Sequence, residues 1–342
     1  MKLIENNEDF CIACDAINRE KFISIDTEFV RESNSIPFLC LLQIATKDEI
    51  FIIDPTMVDI SILKQPLENV EIKKIFHDAR QDLEILNSFV INVTNVFDTQ
   101  IANMLISTKE SESYRILVRK YCGKQLKKAL TLSDWTHRPL SKQQLKYATE
   151  DVKYLYEIYT KQMEKLVALD RVSWLDTAVV YDDDRVDEQE YRLLKEWVEN
   201  RAKLENTTAD QLIHKSLFLA VCKRGLYFVK KLQNARNING NTIVSEFLEY
   251  ASTIVKDSAK IDTNQTDVIY LLHTLLHVVA RKNSVCPSII ARRQDLDLIA
   301  NGEWEKSVCS SGWRFKLFGQ HALKLMSGKI NLSIQNNEVT IK

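Results

Sequence analysis

The first half of the chain alternates between strand-like and helix-like hydrophobic patterns. Three apolar runs, "KFISIDTEF", "FLCLLQIAT" and "EIFIID", follow one another with short connections and predict three successive β-strands. A helix near Met57 to Leu67 comes next, and "EIKKIFH", "ARQDLEILNSF", "VTNVFD" and "TQIANMLIS" then predict strand, helix, strand and helix. A meander followed by a β-α-β unit is typical of an α/β domain with a mixed sheet.

The last predicted helix of this half has a well-marked start. In "SKQQ", Ser141 precedes Gln144 by three residues, which is a capping-box pattern. Apolar residues then recur on one helical stripe, at Leu145, Ala148, Val152, Leu155 and Tyr159. Tyr147 and Asp151 are four residues apart and lie together at the edge of this stripe, where a helix faces a cleft.

The pattern changes in the second half. The segment "YDDDRVDEQE", residues 181 to 190, is densely acidic without apolar periodicity and predicts a solvated linker. The chain that follows has helical patterns throughout, with a second break near residues 260 to 266. We therefore predict an α/β domain at 1–175, an acidic linker at 176–190, a helical domain at 191–260 and a second helical domain at 261–342.

Composition mainly excludes classes of protein. At 342 residues, with 45% hydrophobic and 27% charged residues, the chain is typical of a globular protein of two or three domains. It contains no apolar run of about 18 residues that could span a membrane, and "MKLIENNEDF" lacks the apolar core of a signal peptide. These features predict a cytoplasmic protein without a membrane partner. With only 7 Gly, the chain contains no glycine-rich nucleotide loop.

Net charge and cysteine spacing point to no special class. The formal net charge is −1, so the chain as a whole does not attract polyanions strongly. Among 7 cysteines, only Cys11 and Cys14 form a C-x-x-C pair, and "EDFCIACDAI" has helical spacing. Without a second cysteine pair or histidines at matching spacing, zinc binding is not indicated. We interpret the cysteines as reduced, mostly buried thiols.

The strand "FISIDTEFV" carries the first candidate chemistry. Asp26 and Glu28 are two positions apart, so both side chains point to one face of the strand. Two neighbouring carboxylates raise one another's pKa unless a cation lies between them. The pair therefore indicates a divalent metal site, a basic partner or a solvated strand end, and by itself does not distinguish these.

Two more acids join this pair in the predicted fold. Asp82 follows a strand in "FHDARQDLEIL", and Asp151 lies beside Tyr147 in "YATEDVKYL". Each has an ordinary explanation alone: Asp82 as a helix first-turn acid, Asp151 as an exposed helix partner, and Tyr147 as a packing residue. Together they match a two-metal hydrolytic site, in which carboxylates converge from different elements. Hard oxygen ligands favour Mg²⁺ or Mn²⁺ over zinc.

Five motifs in register resemble one known family. "DTEFVRE", "FHDARQDLEIL", "DTQIANML", "DWTHRPLS" and "YATEDVKYL" resemble the motifs of the ribonuclease D family, DEDD exonucleases whose third motif is Y-x-x-x-D. The tail segments "ARRQDLDLIANG" and "SGWRFKLFGQHALKLMSGKI" resemble its helical C-terminal region, which contains HRDC modules. The resemblance implies an α/β ribonuclease H-like catalytic domain with a mixed sheet, followed by all-α HRDC-like domains.

The resemblance also implies five catalytic residues, four of which are metal ligands. Asp26 would bridge two divalent ions, Mg²⁺ or Mn²⁺. Glu28 and Asp151 would complete the ligands of the first ion, and Asp82 would hold the second directly or through water. Tyr147 would orient the attacking water, because a tyrosine with a pKa of about 10 is a poor base at neutral pH.

Several neighbouring residues are excluded from the predicted site. Asp78 is the alternative to Asp82, but the family acid lies five residues after the histidine that ends the strand, here His77. Asp98 matches the family as well, yet it can simply cap its helix. His273 and His277 are four residues apart without the glutamate of H-E-x-x-H, so we interpret them as an exposed helix face.

The implied activity is 3′→5′ hydrolysis of RNA, especially tRNA precursors, by a monomeric enzyme that releases nucleoside 5′-monophosphates. Clustered cations are candidate phosphate contacts, with a solvated surface as the alternative. They are Lys124, Lys127, Lys128, Lys223, Arg224, Lys230, Lys231, Arg292 and Arg293. Ser35 and Ile36 stand where the family commonly has aromatic residues, so stacking on the terminal bases is expected to be weaker.

Two other functions remain open from the sequence. One is a 3′→5′ exonuclease of the same superfamily that acts on DNA or on both nucleic acids. The other is an RNA-binding protein without catalysis on the same fold, for which loss of a metal acid would be the signature. All four acids are present, together with Tyr147.

Overall fold

The computed structural model contains two compact units. One comprises Met1–Val179 together with Val268–Lys342, and the other comprises Val180–Asp267. The structure describes residues 1–30, 38–126, 133–178, 188–205, 207–213, 217–218, 221–222, 229, 242–254 and 265–342. The predicted boundaries near residues 175, 190 and 260 stay a prediction, and most of the acidic run at 181–190 lies outside the described residues.

The first unit is built on a six-stranded mixed sheet with the order β1-β4-β3-β2-β5-β6. Its strands are β1 Lys2–Ile4, β2 Phe22–Val30, β3 Phe38–Ala45, β4 Ile50–Ile53, β5 Lys73–Phe76 and β6 Val96–Asp98. Strands β2, β3 and β4 form the antiparallel meander, whereas β5 and β6 run parallel to β2. The predicted mixed sheet is confirmed, and the three-residue β1 was too short for its pattern to be found.

Helices cover both faces of this sheet. They are α1 Asn7–Asn18, α2 Lys64–Glu68, α3 Arg80–Ser88, α4 Thr99–Leu105, α5 Tyr114–Leu117, α6 Lys142–Lys153 and α7 Leu155–Ala168. A 3₁₀ turn at Ile60–Leu63 precedes α2, a π-helical turn at Val118–Cys122 continues α5, and a 3₁₀ turn at Val172–Thr177 follows α7. The capping box predicted for α6 is present, with Ser141 and Gln144 bonded to each other's backbone.

Alternation along β2 separates apolar packing from polar chemistry. Ile23 and Ile25 are buried in the core that includes α1 and α3. Asp26 and Glu28 project from the opposite face, on which α6 packs against β2 and β3. One face of β2 is therefore fixed in the hydrophobic core, and the acids on its other face lie between β2 and α6.

The C-terminal segment packs onto the α/β domain. Its helices are α11 Gln265–Asn283, α12 Pro287–Ile290, α13 Arg293–Ala300, α14 Gly312–Arg314 and α15 Gln320–Met326, with a π-helical turn at Phe315–Gly319 between the last two. Arg171, which lies between α7 and the following 3₁₀ turn, donates to the carbonyl oxygens of Leu105 and Asn283, both at 2.7 Å. Trp174 stacks on Trp313 with ring centroids 4.4 Å apart.

One part of the tail differs from the predicted pattern. Residues Leu332–Gln335 and Glu338–Ile341 form an antiparallel ribbon, β7 and β8. The prediction that the tail is helical throughout is therefore wrong for its end. Both strands alternate apolar and polar residues, but each has only four residues, so the pattern was too short to predict them.

The second unit is helical where it is described. It contains α8 Glu188–Leu204, α9 Ala209–Leu212 and α10 Thr242–Ile254. Leu194, Val198, Phe247 and Leu248 belong to its own buried core. This agrees with the predicted helical character of the segment.

The cysteines agree with their predicted state. None of the seven cysteines, all within the described residues, forms a disulfide, and five of them are buried. Within the described part of the chain, no helix combines the length and apolar character needed to cross a membrane.

We expect Arg138→Ala to lower the free energy of unfolding by about 3 kcal/mol, because it leaves a buried carboxylate unpaired. Arg138 binds Asp54, which is 1% exposed, and also donates to the carbonyl oxygens of Cys40 and Trp135, both at 2.8 Å. Burial alone would raise the pKa of Asp54, but the hydrogen bonds from Arg138 and Thr56 outweigh it and hold that pKa below its usual range. Urea unfolding measures the loss.

The matched control for this prediction is the double variant Asp54→Asn with Arg138→Met. It removes both charges, so it should recover part of the lost stability. A single variant as stable as the wild type would show that Arg138 does not anchor the segment before α6.

Candidate active site

The site forms at the edge of the sheet where β2 and β5 end. These strands are parallel, so their carboxyl ends meet at the same edge. Asp26 and Glu28 lie in the last part of β2, and Asp82 lies in the first turn of α3, which follows β5. The chain thus brings the three acids to one edge although Asp82 is distant in sequence.

Helix α6 adds the fourth acid. One carboxylate oxygen from each of Asp26, Glu28 and Asp151 can be chosen so that the three atoms lie within 4.8 Å of one another, and all three residues are half-buried. Within the described residues this is the one such group of potential metal ligands. The expected convergence of β2 and α6 is present in the structure.

Asp82 lies beside this group without belonging to it. The Thr27 hydroxyl donates to its Oδ1 at 2.5 Å, and the side chain is buried. Burial first and the charge of Asp26 second raise the pKa of Asp82 well above its usual value. Asp78, the alternative in sequence, is exposed and has a left-handed backbone with φ 58°.

The carboxylates strongly perturb one another. Burial and then the charge of Asp151 raise the pKa of Asp26 well above its usual value. Burial and then the charges of Asp26 and Asp151 raise the pKa of Glu28 to about 9. Burial raises the pKa of Asp151 to about 7, although its contact with the Tyr147 hydroxyl partly offsets the rise.

This arrangement fits a divalent cation. The buried Oδ2 of Asp151 has no hydrogen-bond partner, so a ligand position is left free in the cluster. No basic side chain is paired with Asp26, Glu28 or Asp151 in the described part of the chain. Three convergent carboxylates without a counter-charge are the donor set that Mg²⁺ and Mn²⁺ prefer.

We expect the metal-free protein to lose stability as the pH rises. The folded state keeps a proton on Glu28 up to a pKa of about 9, whereas the unfolded chain releases it near its ordinary pKa of 4.5. Between these values the folded state binds more protons, so the free energy of unfolding falls with increasing pH. Thermal unfolding with chelator should show a midpoint several degrees lower at pH 8.5 than at pH 5.5.

Glu28→Gln is the control for this prediction, because it removes the titrating group and keeps its shape. Its unfolding midpoint should depend less on pH than that of the wild type. An identical pH dependence in both proteins would mean that Glu28 is already ionised in the folded, metal-free state.

Tyr147 lies on α6 one turn before Asp151. Burial and then the charges of Asp151 and Glu28 raise its pKa above the usual value of a phenol. The hydroxyl is therefore protonated at neutral pH and acts as a hydrogen-bond donor. The half-buried ring packs near Trp135, with centroids 6.0 Å apart.

Asp98 shapes the loop that leads to Asp82. Its carboxylate accepts from the backbone of Gln100 at 2.8 Å, of Ala79 at 2.9 Å and of Asp78 at 3.0 Å. The predicted helix cap is confirmed. The same side chain also holds the turn between His77 and α3, a link across 20 residues that the sequence did not indicate.

Two residues near the site were missed in the sequence. Gln43 lies directly opposite Asp26 in the β2–β3 pair, is fully buried, and has no hydrogen-bond partner for its side-chain amide. A lone amide in the apolar run "FLCLLQIAT" was the available signal. Tyr114 accepts from the backbone of Tyr154 and donates to the carbonyl of Glu150 at 2.9 Å, next to Asp151. No local pattern distinguished it.

The predicted RNA contacts are only partly described. Lys124 is exposed, Arg292 is half-buried, and Arg293 pairs with Asp297 at 3.0 Å. Ser35, Ile36, Lys127, Lys128, Lys223, Arg224, Lys230 and Lys231 lie outside the described residues. His273 and His277 are exposed on α11, as interpreted from the sequence.

Comparison with known proteins identifies the class to which this fold and acidic site belong. A family model described as a 3′-5′ exonuclease matches residues 1–167. The ribonuclease D of Bartonella henselae is 32% identical over 384 residues, which cover 100% of this chain and 94% of that protein. The ribonuclease D of Gluconacetobacter diazotrophicus is 30% identical, with 98% of this chain and 95% of that protein covered.

A solved structure shows the same fold over nearly the whole chain. Escherichia coli RNase D, described as an exoribonuclease involved in structured RNA processing, superimposes with a TM-score of 0.69. The match covers 96% of this chain and 98% of that one, at 24% identity. The class is thus a 3′→5′ exonuclease with a helical C-terminal part. The chain belongs to the ribonuclease D family, and the resemblance found in its motifs is confirmed.

Proposed function

We propose that this 3′→5′ exoribonuclease hydrolyses single-stranded 3′ ends of RNA, tRNA precursors among them, and releases nucleoside 5′-monophosphates with the help of two divalent ions. The observation that carries the proposal is the convergence of Asp26, Glu28 and Asp151 within 4.8 Å, with Asp82 beside them. Family membership supports RNA as the substrate. We also propose that it acts as a monomer in the cytoplasm.

Each catalytic residue has a task that follows from its environment. Asp26, Glu28 and Asp151 would hold one Mg²⁺ or Mn²⁺ ion, and Asp82 would help Asp26 to hold a second. When bound, such ions stabilise the charge on the attacking and leaving oxygens of the phosphodiester. Tyr147, kept protonated by its surroundings, donates a hydrogen bond that orients the attacking water.

Thr27 supports this arrangement from the other face of β2. Its hydroxyl holds Asp82 in place, so the orientation of Asp82 depends on the strand that carries Asp26 and Glu28. The four acids are therefore positioned by β2, α3 and α6, elements with buried residues in the cores on the two faces of the sheet.

The test uses the wild-type protein with single-stranded RNA labelled at the 5′ end and a DNA strand of the same sequence. A ladder that shortens from the 3′ end of RNA with Mg²⁺ or Mn²⁺, and stops with chelator, is expected. Equal trimming of DNA would favour the broader nuclease. Binding of RNA without trimming under all metal conditions would overturn catalysis and favour an RNA-binding protein.

A further inference from the structure

Helix α5 and the segment that follows it form a groove. Arg115, Ile116, Arg119, Gln125 and Leu126 line a cavity of about 270 Å³. Both arginines are exposed. We propose that this groove binds the phosphates of single-stranded RNA upstream of the scissile bond, an inference that rests on the proposed function.

The position of α5 is set by its first residue. The Tyr114 hydroxyl donates to the carbonyl oxygen of Glu150, the residue before Asp151. Burial is the largest cause of the raised pKa of Tyr114, and the nearby charges of Asp151 and Asp26 raise it further. Its ring also packs near His77, with centroids 5.8 Å apart. Arg115 follows directly in the chain, and Arg119 lies about 6 Å farther along the helix at a rise of 1.5 Å per residue. The helix that carries Arg115 therefore begins at a residue bonded next to Asp151.

The charge of this groove is available to a ligand. Neither Arg115 nor Arg119 has an ion-pair or hydrogen-bond partner among the described residues. Lys120, the residue after Arg119 on the turn, is paired with Glu112 at 2.9 Å. On neighbouring α7, Glu157 is bound by Lys161 at 2.7 Å. Glu112 and Glu157 are therefore each paired with a lysine and do not neutralise Arg115 or Arg119.

The side chains that line the groove can contact both the backbone and the bases of RNA. Guanidinium groups bind phosphate oxygens through paired N–H donors and can stack on unpaired bases. Ile116, 37% exposed, supplies an apolar surface, and Gln125 offers donor and acceptor groups. The π-helical turn at Val118–Cys122 interrupts regular α-helix beside the groove, and such turns are frequent at functional sites.

The experiment compares the wild type with the double variant Arg115→Gln, Arg119→Gln. Binding of a fluorescent single-stranded 12-mer RNA is measured by anisotropy in chelator, over a range of salt concentrations. We expect affinity to fall about tenfold, and the slope of log affinity against log salt to decrease by about 0.7 for each lost phosphate contact. In Mg²⁺, kcat/KM for the 12-mer should fall while that for a dinucleotide stays unchanged.

The matched control is the double variant Arg19→Gln, Lys47→Gln, which removes the same charge from exposed residues. They flank the start of β2 and the end of β3, away from the catalytic edge. Equal affinity and equal salt slopes for both double variants and the wild type would overturn the proposal. So would an equal loss with the dinucleotide, which would place the arginines at the scissile bond.

The proposal of RNA hydrolysis and the proposal of RNA binding in the groove can be refuted independently. If the wild type does not hydrolyse RNA, the binding measurements in chelator still decide the role of the groove. If the wild type hydrolyses RNA but the arginine variant binds as tightly as its control, catalysis stands and the groove proposal falls.

Discussion

Asp26→Asn should lower the rate of RNA hydrolysis by about 10³-fold or more, the scale expected when a central charge-stabilising group is lost. The amide keeps the shape of the side chain. It removes the negative charge that Asp26 contributes to the group it forms with Glu28 and Asp151. Single-turnover rates on 5′-labelled RNA at saturating Mg²⁺ measure the loss. A rate within about tenfold of the wild type would contradict a role for Asp26 in holding both ions.

Thermal unfolding separates this effect from a folding defect. In chelator, Asp26→Asn removes repulsion within the cluster, because Asp26 raises the pKa values of Glu28 and Asp82. The variant should therefore unfold at a higher temperature than the wild type when metal is absent. Addition of Mn²⁺ should raise the midpoint of the wild type more than that of the variant. A variant that is both inactive and less stable would point to misfolding instead.

Asp82→Asn should lower the same rate by about 10²-fold or more, whereas Asp78→Asn should leave it within about twofold of the wild type. The two acids are four residues apart, and the same chemical change is made in both. Asp82 is buried beside Asp26 and bonded to Thr27, whereas Asp78 is exposed. The same labelled-RNA assay measures both variants.

Asp78→Asn is a matched control because the change does not strain the backbone. Asp78 has φ 58°, and asparagine accepts this left-handed conformation as readily as aspartate does. The contact that holds the loop is made by the Asp78 backbone N–H to Asp98, so it is retained. A larger loss from Asp78→Asn than from Asp82→Asn would exchange the roles assigned to the two acids.

Local patterns predicted much of the α/β domain. The strands β2 to β6, the helices α3, α4 and α6, and the α6 capping box follow from periodicity and end signals along short segments. These features depend on neighbours a few residues away, which a single sequence displays directly. The ribbon β7–β8 and the edge strand β1 were missed because strands of three or four residues are too short for their alternation to be distinctive.

The residues of the candidate site could be predicted from the sequence for a different reason. Asp26, Glu28, Asp82, Tyr147 and Asp151 lie in motifs whose order and spacing resemble those of one family, so the resemblance named them together. Periodicity alone gave only the shared face of Asp26 and Glu28 and the shared edge of Tyr147 and Asp151. It could not relate residue 26 to residue 151.

Contacts between distant segments depend on the path of the whole chain. The bond from Arg171 to Asn283, the stack of Trp174 on Trp313 and the unpartnered amide of Gln43 opposite Asp26 have no local signature. The packing of the C-terminal helices on the α/β domain likewise depends on side chains that meet only after folding. Residue type and spacing thus specify elements and their polar faces, whereas the free energy of burial selects which faces meet.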